Sequence, residues 1–582
     1  MIIEKVSPAL FGQCPLDSHA GAGMHKEDAA TRKMCGSSFH GRTEPAQHPL
    51  VSTPSPPMSN LRIPVASLML CLAVAAHAAP SDWPQWRGPT RNGVLPAGPS
   101  LADSWTADGP RTLWESEPIP SDDDGGHGSA VLAQGRVYLS VVWHRDEPSE
   151  TRTITDLIMR VRLNHQNPSA LGKELIDKVE ATRESLSPTL RGAKLDEFIE
   201  KFLQENLDRK KRELLGGWVS GRFKKGKLAI PLGDYEKLKS RIEKPFASQA
   251  EFESWVNAQG FADHVKQAVL DAVPASKRVA EDTIICLEAQ SGKTLWMTRA
   301  PGEPKGRNCS STPCVSGGFV FALGSTHLYA VNAETGKLQW SQPLGTKAPG
   351  SSPLVLDGVV YVQAGKLAAY DGGTGNLLWE QPAVTGNNAS PAVWQKGPAK
   401  LIVCNSRNEL IGVDPATGAI AWNIAAGGDS TPAIEGDLAA VLSSKDSLGF
   451  ACYQISMKSA QQLWNHPTDA RRSQSSPVIY QGHAYLFEDG EHRCVNLTSG
   501  KISWSQKIPS SITSPLIADG KIFVVMNNGN TLSMLKATPE DRIELGKATI
   551  RALWVPSPSI ADGKLFVRHR QGLRCYDLTK TN

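Results

Sequence analysis

The chain has 582 residues, a formal net charge of +4 and 21% charged residues. That length fits two or more domains or one long repeat array. So mild a charge argues against nucleic acid or an anionic surface as the partner, and 51 glycines with 40 prolines imply frequent turns.

From Met58 the chain reads MSNLRIPVASLMLCLAVAAHAAPSDW. Arg62 supplies a positive start, residues 65–76 an apolar run, and Ala76-His77-Ala78 an A-x-A cleavage site. This is the pattern of a secretory signal peptide. The run is too short to span a bilayer, and the bulky Leu70 before Cys71 argues against a lipid-anchor signal. Residues 1–57, rich in Pro, Ser, Gly and His without periodicity, read as disordered or as no part of the native protein. Residues 58–78 are then removed on export. The mature chain is expected to begin near Ala79 or Pro80, in the periplasm or cell envelope, with no transmembrane segment. Cys14, Cys35 and Cys71 precede the cleavage point, which leaves an odd number of the ten cysteines. Cys309 and Cys314 are the best candidates for a pair, but they flank a strand start, so no disulfide is expected.

Residues 79–143 hold two elements. RTLWESEP at 111–118 reads as a strand carrying Trp114, and GSAVLAQGRVYLS at 128–140 as strand, Q-G turn and strand. Residues 144–281 change character and are rich in charge. Leu195, Phe198, Ile199, Phe202 and Leu203 form a helical stripe. Ser248 and Glu251 form a capping box that opens a helix through Phe252 and Trp255, and 261–273 is a third helix. The basic run at 209–227 reads as a solvated helix end and loop. This is a helical insertion.

From 282 to 582 one phrase recurs. An [S/T]-P dipeptide opens a strand-turn-strand at Pro313, Pro353, Pro391, Pro432, Pro477, Pro515 and Pro558. The segment at 128–140 is an eighth copy, with Ala130 in place of the proline. A second phrase alternates with the first, as in AVNAETGKLQW at 330–340 and AYDGGTGNLLW at 369–379, with Trp four residues after Gly. In the copy QISMKSAQQLW at 454–464, Ala460 replaces that Gly. Each unit of about forty residues makes four short strands that cannot bury both faces alone, so the units stack radially as a β-propeller. Eight copies predict eight blades, with the Trp packed between neighbours.

The last unit stops before its Trp strand, and the strand with Trp114 precedes the first, so Trp114 is expected to complete blade eight and close the ring. Blade seven lacks its Trp, and Leu545 is the expected replacement. Cys286, Ala330, Ala369, Gly412, Gln454, Cys494 and Cys575 share one repeat column of mostly small residues, so the cysteines there read as small buried hydrophobes. The insertion falls between the second and third strands of blade one. That places it with the blade-joining loops, at one mouth of the channel.

The pattern A-x-D-x-x-T-G-x-x-x-W followed by [S/T]-P resembles the pyrroloquinoline quinone (PQQ)-type propeller repeat, in a superfamily that holds quinoprotein alcohol dehydrogenases and the outer-membrane assembly factor BamB. DWPQWRGPTRNGV at 82–94 also resembles the mature N-terminus of PQQ-like repeat proteins. The resemblance implies an all-β, eight-bladed propeller and leaves activity open.

The blade-joining loops supply His127, Arg307, Asn308, Lys347, Asn387, Asn388, Asp429, Arg471, Arg472, Gln474 and Trp554. Ring convergence makes their face the default ligand site. Trp554, Asn387, Asn388, Asp429 and Arg472 are the candidate cofactor contacts, and Trp554 reads rather as a plug of the channel. The dehydrogenases in this superfamily resemble one another in a vicinal Cys-Cys pair over the cofactor and in a calcium ion held by Glu, Asn and Asp. This chain has no adjacent cysteines and no C-x-x-C-H haem signal. It also has no H-E-x-x-H, G-x-S-x-G or phosphate loop. No catalytic or metal-binding residue is therefore assigned and no cofactor is expected. The leading expectation is an exported binding or assembly scaffold that meets protein partners through the mouth loops and the insertion. The alternative is a divergent oxidoreductase of alcohols or sugars using PQQ with calcium.

Overall fold

The computed structural model describes residues 81–580, apart from 107, 120–125, 305–309, 346–349, 387, 469–473, 489 and 509–512 and the side chains of 209, 210 and 213. The residues of the expected signal peptide lie outside this range, as do Arg307, Asn308, Lys347, Asn387, Arg471 and Arg472. Two units are present. One is Thr151–Pro274; the other joins Ala75–Glu150 to Ala275–Asn582.

The second unit holds eight four-stranded antiparallel sheets, seven of them running in chain order from an inner to an outer strand. Blade 1 consists of Val131–Ala133, Arg136–Pro148, Ser276–Glu288 and Thr294–Gly302. Blades 2 to 7 follow at 314–343, 354–381, 392–425, 433–466, 478–508 and 516–549. Blade 8 takes Ser559–Ala561, Lys564–Arg568 and Leu573–Asp577 from the C-terminal end and Thr112–Glu115 as its outer strand. Trp114 stands opposite Cys575 in that pairing. The ring is thus closed by joining the two ends of the repeat array, and no blade is left with an incomplete sheet.

The two repeated phrases have separate physical tasks. The [S/T]-P residues make a belt around the axis. Ser129 N–H donates to Thr312 Oγ1 at 3.0 Å, Thr312 N–H to Ser352 Oγ at 3.0 Å, and Ser352 N–H to Ser390 Oγ at 2.9 Å. Ser390 N–H continues to Thr431 Oγ1 at 3.2 Å, Thr431 N–H to Ser476 Oγ at 2.9 Å, and Ser476 N–H to Ser514 Oγ at 3.0 Å. Ser514 N–H reaches Ser557 Oγ at 2.9 Å, and Ser557 N–H returns to Ser129 Oγ at 3.0 Å. Eight amides that have no ladder partner are satisfied by eight hydroxyls, each from the next blade. The following proline carries no N–H that would need a partner of its own.

The T-G-x-x-x-W phrase works at the rim. Asp or Asn at the end of the third strand caps the turn, as in Asp371 Oδ1, which accepts from Thr374 N–H at 2.8 Å. The glycine that follows has φ near +75°, as at Gly375 (φ 76°), and a side chain there would run into Trp340 of the preceding blade. Trp340 Nε1–H donates to Gly372 O at 3.0 Å, so this Trp lies on the next blade's turn and bonds to it, while Trp296 of blade 1 packs over Gly336 without such a bond. Trp379, Trp422, Trp464 and Trp504 repeat that bond to Pro415, Ser456, Leu497 and Thr538, and Trp114 carries it from blade 8 to Ala289 of blade 1. The small column faces the Trp across the sheet: Cys286 opposite Trp296, Ala330 opposite Trp340, Gly412 opposite Trp422 and Cys494 opposite Trp504. The six described cysteines, Cys314 among them, are buried free thiols.

Two expectations about these columns are corrected. In blade 5 the residue opposite Trp464 is Cys452, while Gln454 faces Gln461, because 12 residues separate the paired positions Cys452 and Trp464, against 10 for Ala330 and Trp340 in blade 2. In blade 7 the missing Trp is supplied by Trp105, a residue from before the array, and not by Leu545. Trp105 lies 6.1 Å from Phe523 between ring centroids, as Trp340 lies 5.9 Å from Phe321 in blade 2. Gly546, opposite Met534, leaves the space for its indole, and a Cβ there would collide with Nε1. Leu545 is half-buried against the same core.

The strand pair Arg136–Pro148 and Ser276–Glu288 stays in register to its tip, so the ribbon runs past the expected limits of 143 and 282. The first unit fills the connection with α1 (Lys173–Ser185), α2 (Ala193–Asn206), α3 (Arg209–Lys225), α4 (Leu232–Lys239), α5 (Gln249–Ala258) and α6 (Asp263–Ala272). Its two cores are built around Phe252, Val256 and Val265 and around Phe202, Trp218 and Phe223. Ser248 Oγ accepts from Glu251 N–H at 3.2 Å, and the Glu251 carboxylate accepts from Ala247 N–H at 2.7 Å, which makes the expected cap. The basic run is not a solvated end. It is α3, with Trp218 and Arg222 each 1% exposed and Arg222 paired with Glu180. Among the described residues no helix is long and apolar enough to cross a membrane.

Trp105→Ala should lower stability by about 3 kcal/mol, as expected for an emptied aromatic site, and Leu545→Ala by less. Urea midpoints of the two variants check the assignment.

Candidate functional site

The segment 82–95 belongs to no blade, and it occupies the axis. Trp83 pairs with Leu132 of blade 1, Pro84 O accepts from Val315 N–H of blade 2 at 2.7 Å, and Val94 bridges to Ile517 of blade 7. Arg91 donates to Pro353 O at 2.9 Å and Ser352 O at 3.2 Å in blade 3. Arg87 donates to Thr431 O in blade 5 at 3.4 Å and to Pro477 O in blade 6, and Trp86 Nε1–H reaches Thr431 Oγ1 at 3.1 Å. Asn92 exchanges two bonds with the backbone of Ile434. These partners lie on or beside the inner strands of six blades, so the segment fills the channel that the inner strands enclose.

The local sequence allows this. Arg87, Gly88, Arg91 and Gly93 all take positive φ, which coils the segment tightly enough to aim both guanidinium groups at the ring. Gly88 cannot be replaced, because a Cβ would enter the ring of Trp83. Arg87 and Arg91 are 3% and 2% exposed. From its sequence this segment shows only a likeness to the N-terminus of PQQ-like repeat proteins, with no role assigned. The available signals were two arginines among glycine and proline outside the repeat, and eight blades with one Trp short.

On the face of the blade-joining loops, three of the expected residues come together, Asn388, Asp429 and Gln474. Asn388 Nδ2–H donates to Asp429 Oδ1 at 3.1 Å. Burial raises the Asp429 pKa above the ordinary carboxylate range, opposed by hydrogen bonds from Asn388 and Gln474 and by the charge of Arg407. Trp554 is on another arc, half-buried, with its ring edge-on to His127 at 6.1 Å. Asn387 and Arg472 lie outside the described residues.

The set matches a hard cation poorly. Asp429 is one carboxylate with an oxygen already bonded to an amide donor, and among the described residues no three His, Cys, Asp or Glu side chains are grouped to hold a metal. Beneath it the axis holds Trp86, Arg87 and Arg91 where a flat cofactor would need open floor. The described residues therefore do not fit PQQ with calcium. What the face offers is a partly buried carboxyl, neighbouring amides and an indole, a surface suited to hydrogen-bonded recognition.

Because the folded pKa of Asp429 is raised, the native state binds its proton more tightly than the unfolded chain does. Stability should fall as pH rises from the ordinary carboxylate pKa through the raised value. Asp429→Asn should remove that part of the slope and raise stability at neutral pH, as measured by thermal melts of both proteins from pH 4 to 7.

Comparison with known proteins places the architecture. A stretch of 179 residues is 31% identical to the serine/threonine-protein kinase AfsK of Streptomyces griseus, over 28% of this chain and 21% of that one. A stretch of 121 residues is 28% identical to the quinoprotein alcohol dehydrogenase PedH of Pseudomonas putida, over 18% of this chain and 20% of that one. The chain thus spans about a fifth of the length of each of these relatives. The crystal structure of BamB from Moraxella catarrhalis overlays at a TM-score of 0.43 with 16% identity, covering 52% of this chain and 90% of that one. The PQQ_2 model, described as outer membrane protein assembly factor BamB, matches residues 267–396 and 365–581, more than half of the chain. Together with the eight-bladed ring and its Trp-on-glycine turns, this match makes the chain a member of that family of PQQ-like repeat propellers.

Proposed function

We propose that this chain is an exported propeller that acts as a non-catalytic binding or assembly scaffold. It meets protein partners through the blade-joining loops and through the helical insertion. The observation that carries the reading is the filled axis. The chain's own segment 82–95 bonds to the inner strands of six blades and takes the space beneath the loop face. A propeller sealed in this way keeps its loops and its insertion as the surfaces for binding. The family description, an outer membrane assembly factor, agrees with a scaffold of the periplasm or cell envelope, as does the signal-peptide pattern at 58–78.

The second reading is a divergent PQQ-dependent oxidoreductase of alcohols or sugars. The similarity to PedH favours it. Under that reading the candidate cofactor contacts are Trp554, Asn387, Asn388, Asp429 and Arg472.

Calorimetric titration of the purified protein with PQQ and calcium decides between them. The scaffold reading expects no saturable heat at high micromolar concentration, and binding near one per chain would overturn it. Export is checked by the intact mass of the protein recovered from the periplasmic fraction. A first residue at Ala79 or Pro80 supports it; a chain that keeps 58–78 and stays in the cytoplasm refutes it.

A further inference from the structure

The propeller axis carries two positive charges with no negative charge beside them. Every described partner of Arg87 and Arg91 is neutral: the carbonyls of Asn92, Thr431, Pro477, Ser352 and Pro353, and the amide oxygen of Gln85. Among the described residues no carboxylate pairs with either. Burial, then repulsion from Arg91, pulls the Arg87 pKa down, the mark of a cation short of counter-charge. Arg87 Nε is buried and has no hydrogen-bond acceptor.

A cavity of about 10 Å³ adjoins Arg87, lined also by Trp83, Trp86, Ser129, Thr312, Ser514 and Ser557. The four hydroxyl residues belong to the belt around the axis. Each oxygen accepts the N–H of the preceding blade. None of the four hydroxyls donates to another described group, so each keeps a proton to give. The polar side chains that line the cavity therefore hold unused donors: one guanidinium and four hydroxyls.

We propose that this cavity binds one small monovalent anion of halide size, which neutralises Arg87 inside the propeller. Chemistry and size both select that ligand. A buried cation needs an anion or a full shell of acceptors, and Arg87 lacks an acceptor at Nε. A water molecule accepts about two hydrogen bonds, whereas a halide accepts from the guanidinium and all four hydroxyls that line the cavity. The volume, about that needed for one water, excludes phosphate, sulfate and carboxylate ligands. The bound ion ties the N-terminal segment to blades 1, 2, 7 and 8, the arc opposite the one that Arg87 already reaches through Thr431 and Pro477.

The test is thermal melting of the purified protein in sodium chloride, with ionic strength held constant by sodium isethionate, whose anion is too large for the cavity. The melting temperature should rise by about 1–2 °C and saturate, as for a ligand at roughly ten times its Kd. Bromide should substitute for chloride, and Arg87→Gln should abolish the dependence. The ³⁵Cl resonance should broaden in the presence of wild-type protein and sharpen on adding bromide, a readout that holds even if Arg87→Gln does not fold. A melting temperature that is indifferent to chloride, with no excess ³⁵Cl linewidth, overturns the proposal.

Discussion

Eight backbone amides, each donating to a hydroxyl on the next blade, run once around the axis and return to Ser129. The rest of the propeller depends on this belt. Inner strands of three residues, or five in blade 4, have little ladder of their own, and their outward bonds go to the second strand of the same blade. Without a bond between blades at the axis, neighbouring sheets would be held there by packing alone. The belt sets the spacing of the inner strands, and that spacing leaves a channel of a width that the segment 82–95 fills.

The rim obeys a second constraint. A Trp from one blade lies over the glycine turn of the next and donates its indole proton to a carbonyl there. Three features of the repeat follow from that single contact: a glycine with positive φ, a small residue across the sheet from the Trp, and an Asp or Asn that fixes the turn. Belt and rim both join adjacent units only, as in other repeat architectures. The N-terminal segment differs, since Trp83, Pro84, Arg87, Arg91 and Val94 connect blades that are far apart around the ring. It converts a chain of nearest-neighbour contacts into a body held from the centre, and Trp105 extends the same segment to the rim of blade 7.

These constraints bear on function. A channel sealed by two guanidinium groups and an indole is a poor floor for a flat redox cofactor, and the cluster of Asn388 with Asp429 is arranged to satisfy itself. Loops and insertion, which the ring holds without needing them for closure, are then the parts free to specialise.

Much of this was legible in the sequence because repeat contacts are local in pattern. Serine before proline, glycine four residues before tryptophan and the unpaired strand with Trp114 each return at a fixed spacing, so blade number and ring closure follow from counting. The candidate site was legible only in part: Asn388 and Asp429 could be placed on one face, but their mutual bond depends on two loops about forty residues apart. The column entry at Gln454 failed because the connection from the column position to the Trp is longer in blade 5, from Cys452 to Trp464, than in blade 2, from Ala330 to Trp340, and counting back from the Trp at a fixed spacing misses that extra length. Leu545 failed for a different reason. Blade 7 is completed by Trp105, more than four hundred residues away in sequence, and no periodic signal marks a residue that occurs once. The same holds for Arg87 and Arg91. The sequence by itself determined the repeating part, since each blade makes the same bonds to its neighbour. Only the tertiary structure decided what fills the axis, because that contact is made once, between a non-repeating segment and six blades together.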